Sequence, residues 1–139
     1  MGMRSFPGRT YRFYTGTPLY PFGYGLSYTT FTFTINHIIP IDSKPGLSDE
    51  QLLLQPFVKP RDTVTVNVTV QNTGAVAGDV AVLAFVSSPP SVTQECPLEQ
   101  LFGFQKIQNL QPSSQVTLQF SLTGDAAMCY NSEGRAIVR

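Results

Sequence analysis

Nine carboxylates, one histidine and two cysteines are the first groups in this chain to weigh for chemistry. The acids are Asp42, Asp49, Glu50, Asp62, Asp79, Glu95, Glu99, Asp125 and Glu133. Acid–base work needs two of them held in one pocket with their proton affinities pushed apart. Their neighbours are turn and loop formers, and the adjacent Asp49 and Glu50 read as a solvated loop face rather than a dyad. His37 has no second histidine and no nearby thiol, so neither a triad nor a metal site can be assembled around it. Gly16, Gly23 and Gly25 are not followed by a helix opening on Lys-Ser or Lys-Thr, so no phosphate cradle is expected. Cys96 and Cys129 cannot build a metal site alone; one disulfide or two unpaired thiols both remain open. No catalytic residue, metal or cofactor is expected. Asn67-Val68-Thr69 is the only Asn-x-Ser/Thr sequon, and a glycan at Asn67 would fit a secreted protein.

The bulk numbers point the same way. A chain of 139 residues suits one domain with a real core. Nine basic and nine acidic residues give a net charge of zero, which argues against nucleic acid as a partner. Charged residues make up 13% of the chain, against the usual quarter or so. With ten Phe and six Tyr besides, some surface is built to be covered, by a partner domain or a ligand. No apolar run approaches a membrane span, so no membrane partner is expected. Met1 to Phe6 lack the apolar region of a signal peptide, and Phe6 stands where a myristoylation pattern needs Ser or Thr.

The elements that would position these groups begin with an aromatic ribbon. Residues 9–30 hold five of the six tyrosines, together with Phe13, Phe22, Pro18, Pro21 and the three glycines. Pro21 removes a backbone donor, and the glycines allow φ > 0 and close backbone approach. The run is expected to be a turning, extended ribbon pressing aromatic faces against something else. Period-two strands follow. Phe31, Phe33 and Ile35 are expected inward, with Thr30, Thr32, Thr34 and Asn36 outward. Residues 39–61, broken by Pro40, Pro45, Pro56 and Pro60, read as a long loop with one helical turn near Ser48, capped by Ser48 and Gln51. Val64, Val66, Val68 and Val70 form the clearest strand, before a turn at Asn72-Thr73-Gly74. Residues 79–87 are apolar on both faces and should be covered on both sides. A strand from about Leu98 to Ile107 carries Gly103 at a bulge or close approach. Val116, Leu118, Phe120 and Leu122 alternate in the next. Short segments at Met128–Tyr130 and Ala136–Val138 end the chain. The pattern is an all-β sandwich.

Pro7–Tyr14 followed by Tyr20–Phe31 resembles the join before the C-terminal domain of family 3 glycoside hydrolases. Val70–Val80 resembles the first hairpin of that family's fibronectin type III-like domain. Pro97–Ile107 resembles the later strand with the family's Leu-x-Gly-Phe signature. The resemblance covers nearly the whole chain, in the family's order. The Arg9–Tyr14 stretch is closer to the β-xylosidase and arabinosidase branch than to the fungal β-glucosidases.

The resemblance implies an all-β, fibronectin type III-like (immunoglobulin-like) sandwich over residues 28–139, lacking its last strand, preceded by an aromatic inter-domain linker over residues 1–27. It also implies a parent enzyme acting on O-glycosyl bonds between β-linked sugars, xylose or glucose, by a retaining mechanism. Retention requires two carboxyl groups about 5–5.5 Å apart. In the family these stand in upstream domains, so none carries over, and the chain alone is expected to be inactive. The implied partners are the catalytic domains of the same enzyme, with an oligosaccharide or polysaccharide substrate nearby, and the implied location is extracellular. The ribbon residues expected to pack between domains are Arg9, Tyr11, Arg12, Tyr14, Tyr20, Pro21, Phe22, Gly23, Tyr24, Gly25 and Tyr28, with Arg9 and Arg12 facing carboxylates of the partner. Two rivals are a carbohydrate-binding module using the ribbon tyrosines and an Ig-like interaction domain.

Overall fold

The computed structural model describes residues 5–40, 63–88, 96–130 and 136–138. Helix α1 spans Thr10–Phe13, and the strands are β1 (Phe31–Pro40), β2 (Thr63–Asn72), β3 (Gly78–Ser87), β4 (Glu99–Leu110), β5 (Gln115–Thr123), β6 (Met128–Tyr130) and β7 (Ala136–Val138). All strand pairs are antiparallel. One sheet runs β1-β2-β5, a second β3-β4, and β6-β7 form a short third ladder.

The all-β sandwich follows from which side chains meet. Val68 and Val70 of β2, with Leu118 and Phe120 of β5, pack against Val82 of β3 and against Ile107 and Leu110 of β4. Each such burial is worth roughly 1.5–3 kcal/mol over exposure. Val66, Val80, Ala84, Phe31 and Phe102 close the margins of this core. Phe102 meets Phe120 edge-on, with ring centroids 6.4 Å apart. At Gly103 a Cβ would lie 2.9 Å from the Phe120 ring, so the close approach is made by an aromatic edge. The ladder is also irregular there: Ala84 pairs with Gly103 but Phe85 pairs with Leu101, leaving Phe102 the extra residue of a bulge.

Four expectations are corrected. The first strand runs on to Pro40, so residues 39 and 40 belong to it and not to the loop. Phe33 and Ile35 do pair with buried Val70 and Val68, yet they are 52% and 64% exposed. The three-stranded sheet faces a two-stranded one, and β1, at its edge, lies beyond that cover. The ribbon contains one helical turn, α1, closed by Tyr14 N–H donating to Thr10 O at 3.0 Å. Of the three ribbon glycines only Gly23 takes a left-handed φ, of 83°. The Ser48–Gln51 turn falls outside the described residues.

Asn72 is the polar centre of the fold and is fully buried. Its Nδ2 donates to Val76 O and to Leu110 O, both at 2.8 Å. Its Oδ1 accepts from Thr29 Oγ1 at 2.7 Å and from Gly74 N–H at 3.0 Å. One side chain thus joins the end of the ribbon, the β2–β3 turn and the end of β4, with every polar atom satisfied, as burial requires.

Candidate functional site

The ribbon is a strap fixed at both ends. At its start, Leu98 N–H donates to Arg12 O at 2.7 Å, and Leu101 N–H donates to the Tyr11 hydroxyl at 3.2 Å. Arg12 Nη2 donates to Gln100 Oε1 at 3.1 Å. At its end, Thr73 N–H donates to Thr30 O at 2.9 Å, beside the Thr29–Asn72 bond. Between these anchors the chain reverses at Pro21–Tyr24, where Tyr24 N–H donates to Pro21 O at 3.0 Å. Gly23 holds the positive φ that the third residue of a type II turn demands. A Cβ at Gly23 would also run into the Leu83 side chain, so the turn sits directly on β3.

This turn sorts the aromatic rings into two sets. Phe22 stacks on Tyr11 with centroids 4.4 Å apart, and both meet Phe85 edge-on at 6.1 and 5.7 Å. Leu83 and Phe85 lie on the face of β3 opposite the core, so the strap is what covers the second apolar side of that strand. Tyr20 and Tyr24 pair with each other at 5.1 Å. Leu19, Leu26 and Tyr28 are almost wholly exposed, and Tyr14, Tyr20, Phe22 and Tyr24 remain exposed in part. No charged residue occurs from Phe13 to Thr30. The strap is therefore docked on its own sandwich by one side and bare and uncharged on the other.

Each expected ribbon residue has a definite place. Tyr11, Arg12, Phe22 and Gly23 touch the sandwich of this chain. Arg12 bonds an amide of β4 and lies 5.8 Å from the Phe13 ring, while its buried Nε has no hydrogen-bond partner among the described residues. Arg9 is exposed, as are Pro21, Tyr24 and Tyr28. Nothing lies within 4 Å of a Cβ built on Gly25. Tyr11, Tyr14, Tyr20, Pro18 and Phe22, with Phe85, Leu98 and Glu99, line a cleft of about 600 Å³ between strap and sandwich.

The remaining candidates lie elsewhere. Cys96 and Cys129 are joined as a disulfide with Cα atoms 5.6 Å apart, tying the segment before β4 to β6. Asn67 stands on the outward face of β2, where its Oδ1 accepts from Gln119 Nε2 at 3.3 Å. His37 pairs with Asn67 along the β1–β2 ladder, just past a bulge at Asn36. Of the acids, Asp79, Glu99 and Asp125 are among the described residues. Asp79 is held below the ordinary carboxylate range, first by the Asn109 N–H donating to Oδ1 at 2.9 Å and then by Lys106 at 3.0 Å. Both side chains of that pair are exposed, which marks a surface ion pair rather than a catalytic acid. Among the described residues no three His, Cys, Asp or Glu side chains lie close enough to share a metal ion, and no helix is long and apolar enough to cross a membrane. The sequence places Asn72 in the turn that follows β2, but not as the buried hub that also binds Thr29. The available signal was an Asn closing an apolar strand two residues before a glycine, the pattern of a side-chain-capped turn.

No protein-family model matches the chain. Individual relatives do. The exo-1,4-β-xylosidase xlnD of Aspergillus oryzae is 30% identical over 137 residues, covering 95% of this chain and 17% of its own length. The probable β-glucosidase G of Aspergillus flavus is 38% identical over 107 residues, covering 75% of this chain and 13% of its own. A solved β-glucosidase from Erythrobacter marinus superposes with a TM-score of 0.61 at 31% identity, over 94% of this chain and 15% of that one. The chain thus spans less than a fifth of the length of these relatives. Ordered Tyr-Pro-Phe-Gly, Asn-Thr-Gly and Leu-Phe-Gly-Phe motifs on one sandwich, with these matches along most of the chain, make it a small piece of the family 3 glycoside hydrolase sequences.

Proposed function

We propose that this chain is a non-catalytic, fibronectin type III-like accessory domain that a family 3 glycoside hydrolase clamps to its catalytic body through the outer side of the strap. The observation that carries this reading is the uncharged stretch from Tyr14 to Tyr28. It leaves seven large apolar side chains at least partly in water while both of its ends are pinned. A free-standing domain has no use for such a surface, and interface anchors are typically tyrosines in desolvated pockets. The parent would be a secreted, exo-acting β-xylosidase or β-glucosidase that retains configuration, and its two carboxylates would be supplied by upstream domains. The chain would contribute folding stability and inter-domain geometry and use no cofactor. Pure chain incubated with aryl β-xylosides and β-glucosides should give no turnover above buffer. Saturable turnover that survives repurification would sink the proposal.

A second reading rests on the cleft. Tyr11, Tyr14, Tyr20 and Phe22 line it together with Glu99, a set of aromatic and carboxylate side chains suited to a neutral pyranose. Calorimetric titration with xylo- and gluco-oligosaccharides separates the two readings. Binding lost on Tyr14→Ala and Tyr20→Ala favours the module, and no heat at millimolar sugar favours the strap.

A further inference from the structure

We infer that Asn67 is an N-glycosylation site whose glycan stands on the side of the sandwich away from the strap. The sequon Asn67-Val68-Thr69 alone is common by chance; its placement in the fold is what supports it. β2 is the central strand of its sheet, and its odd-numbered side chains point away from the core that Val68 and Val70 fill. Asn67 and Thr69 therefore share the outward face. Across it, Thr34, Thr69 and Thr117 form one row over three strands, and Gln119 stands opposite Asn67 in the next. Thr69 shares a hydroxyl contact with Thr117 at 3.1 Å and accepts from Asn36. The residues named here carry hydroxyls and amides, and the one ionisable residue at this register is His37, opposite Asn67 on β1. The described bond of Asn67 uses Oδ1 and not Nδ2, the atom a glycan would occupy. The strap covers the outward face of β3, on the other sheet, so a glycan at Asn67 and a partner on the strap do not compete for space.

The modification needs an oligosaccharide activated as a polyprenyl diphosphate, as the secretory pathway supplies. Asn67 Nδ2 attacks sugar C1, the N–C1 bond forms, and the C1–O bond to the diphosphate breaks. The polyprenyl diphosphate leaves with that electron pair, and the amide gives up one proton to a base of the transferase. Transfer occurs on the extended chain before folding. The structure's part is to keep Asn67 on the side of β2 away from the core once the strand is paired. The inference rests on the secretion proposed above. The test supplies its own leader, so the failure of one can be told from the failure of the other.

The full chain behind a secretion leader is translated with eukaryotic microsomes and treated with peptide N-glycosidase in heavy-oxygen water. We expect one upward shift on a gel, removed by the enzyme, with a heavy-oxygen Asp recorded by mass spectrometry at position 67. Asn67→Gln and Thr69→Ala should abolish the shift and Thr69→Ser should keep it. As a control, Gln111→Thr creates a second sequon at exposed Asn109. A chain modified at Asn109 while position 67 stays bare would overturn the inference. Whether the natural protein is exported is read separately, by its presence in the medium of its source cells.

Discussion

Asn72 shows how much one side chain can hold. It has no exposed surface and makes four side-chain hydrogen bonds, two as donor and two as acceptor. Asn72→Ala would strand Leu110 O, Thr29 Oγ1 and Gly74 N–H at once. Leaving a buried polar group unpaired costs about 1–3 kcal/mol, and the turn can relax toward water, so a loss of about 3 kcal/mol is expected from urea unfolding. Thr29→Val removes only one of those bonds and should cost about 1 kcal/mol; equal effects would refute the hub. Asp79 makes the contrasting case at the surface. Its folded pKa lies below the ordinary carboxylate range, chiefly through the Asn109 N–H and then Lys106. A depressed carboxylate contributes stability that is present above its unfolded pKa and lost as pH falls through the folded one. Asp79→Asn should therefore lower the urea midpoint slightly at neutral pH. The difference from the parent chain should shrink to nothing well below the carboxylate range. The Lys106 share should also fade in high salt, because both partners are exposed. A gap that persists in acid would mean that packing, and not charge, is responsible.

The elements differ in how plainly the sequence announces them, and the reasons are physical. β2 and β5 were legible because one face of each is buried and period two survives intact in Val64–Val70 and Val116–Leu122. β3 was legible as covered on both sides, since Val82 meets the core while Leu83 and Phe85 meet the strap. The exposure of Phe33 and Ile35 was not legible. Alternation tells which face a side chain takes, and they do take the inner one, but not how many strands stand opposite. The four-residue helix α1 was too short to show any period. That the strap seats on its own sandwich was equally hidden, because the contact of Tyr11 and Phe22 with Phe85 spans distant parts of the chain. The cysteines left two readings open, and only the fold brings their Cα atoms to 5.6 Å. Their separation of 33 residues sets an expectation. Closing a loop of that size should stabilise the chain by about 3–4 kcal/mol, on a chain-entropy estimate. Reduction, or the Cys96→Ser/Cys129→Ser pair, should show that loss in urea. Amide exchange should rise first in β6 and β7, which form only a three-residue ladder of their own. Uniform loosening of all strands instead would mean that the bond does not act through β6.

At the scale of the whole molecule the two outward faces are unlike, and that difference can be tested. The face over β2 carries mainly hydroxyls and amides around Asn67 and Thr69, with His37 opposite Asn67. The face over β3 is capped by the strap, which leaves Leu19, Tyr24, Leu26 and Tyr28 largely exposed. If those side chains serve a partner, removing them should leave the isolated fold unharmed. Tyr24→Ser, Leu26→Ser and Tyr28→Ser together should change stability by no more than about 0.5 kcal/mol, as expected for surface positions. The same triple change should reduce self-association in sedimentation velocity and weaken binding of an apolar dye, since an uncovered apolar surface drives both. Phe85→Ala should do the reverse. It removes the ring on which Tyr11 and Phe22 rest, costs about 2 kcal/mol for a half-buried aromatic, and frees residues 14–28 for proteolysis while leaving the sandwich whole. The two variants thus separate the side of the strap that holds this domain together from the side that faces outward. If the triple variant unfolds as readily as Phe85→Ala, these outer side chains are part of the domain's own packing. The partner surface proposed for them would then not exist.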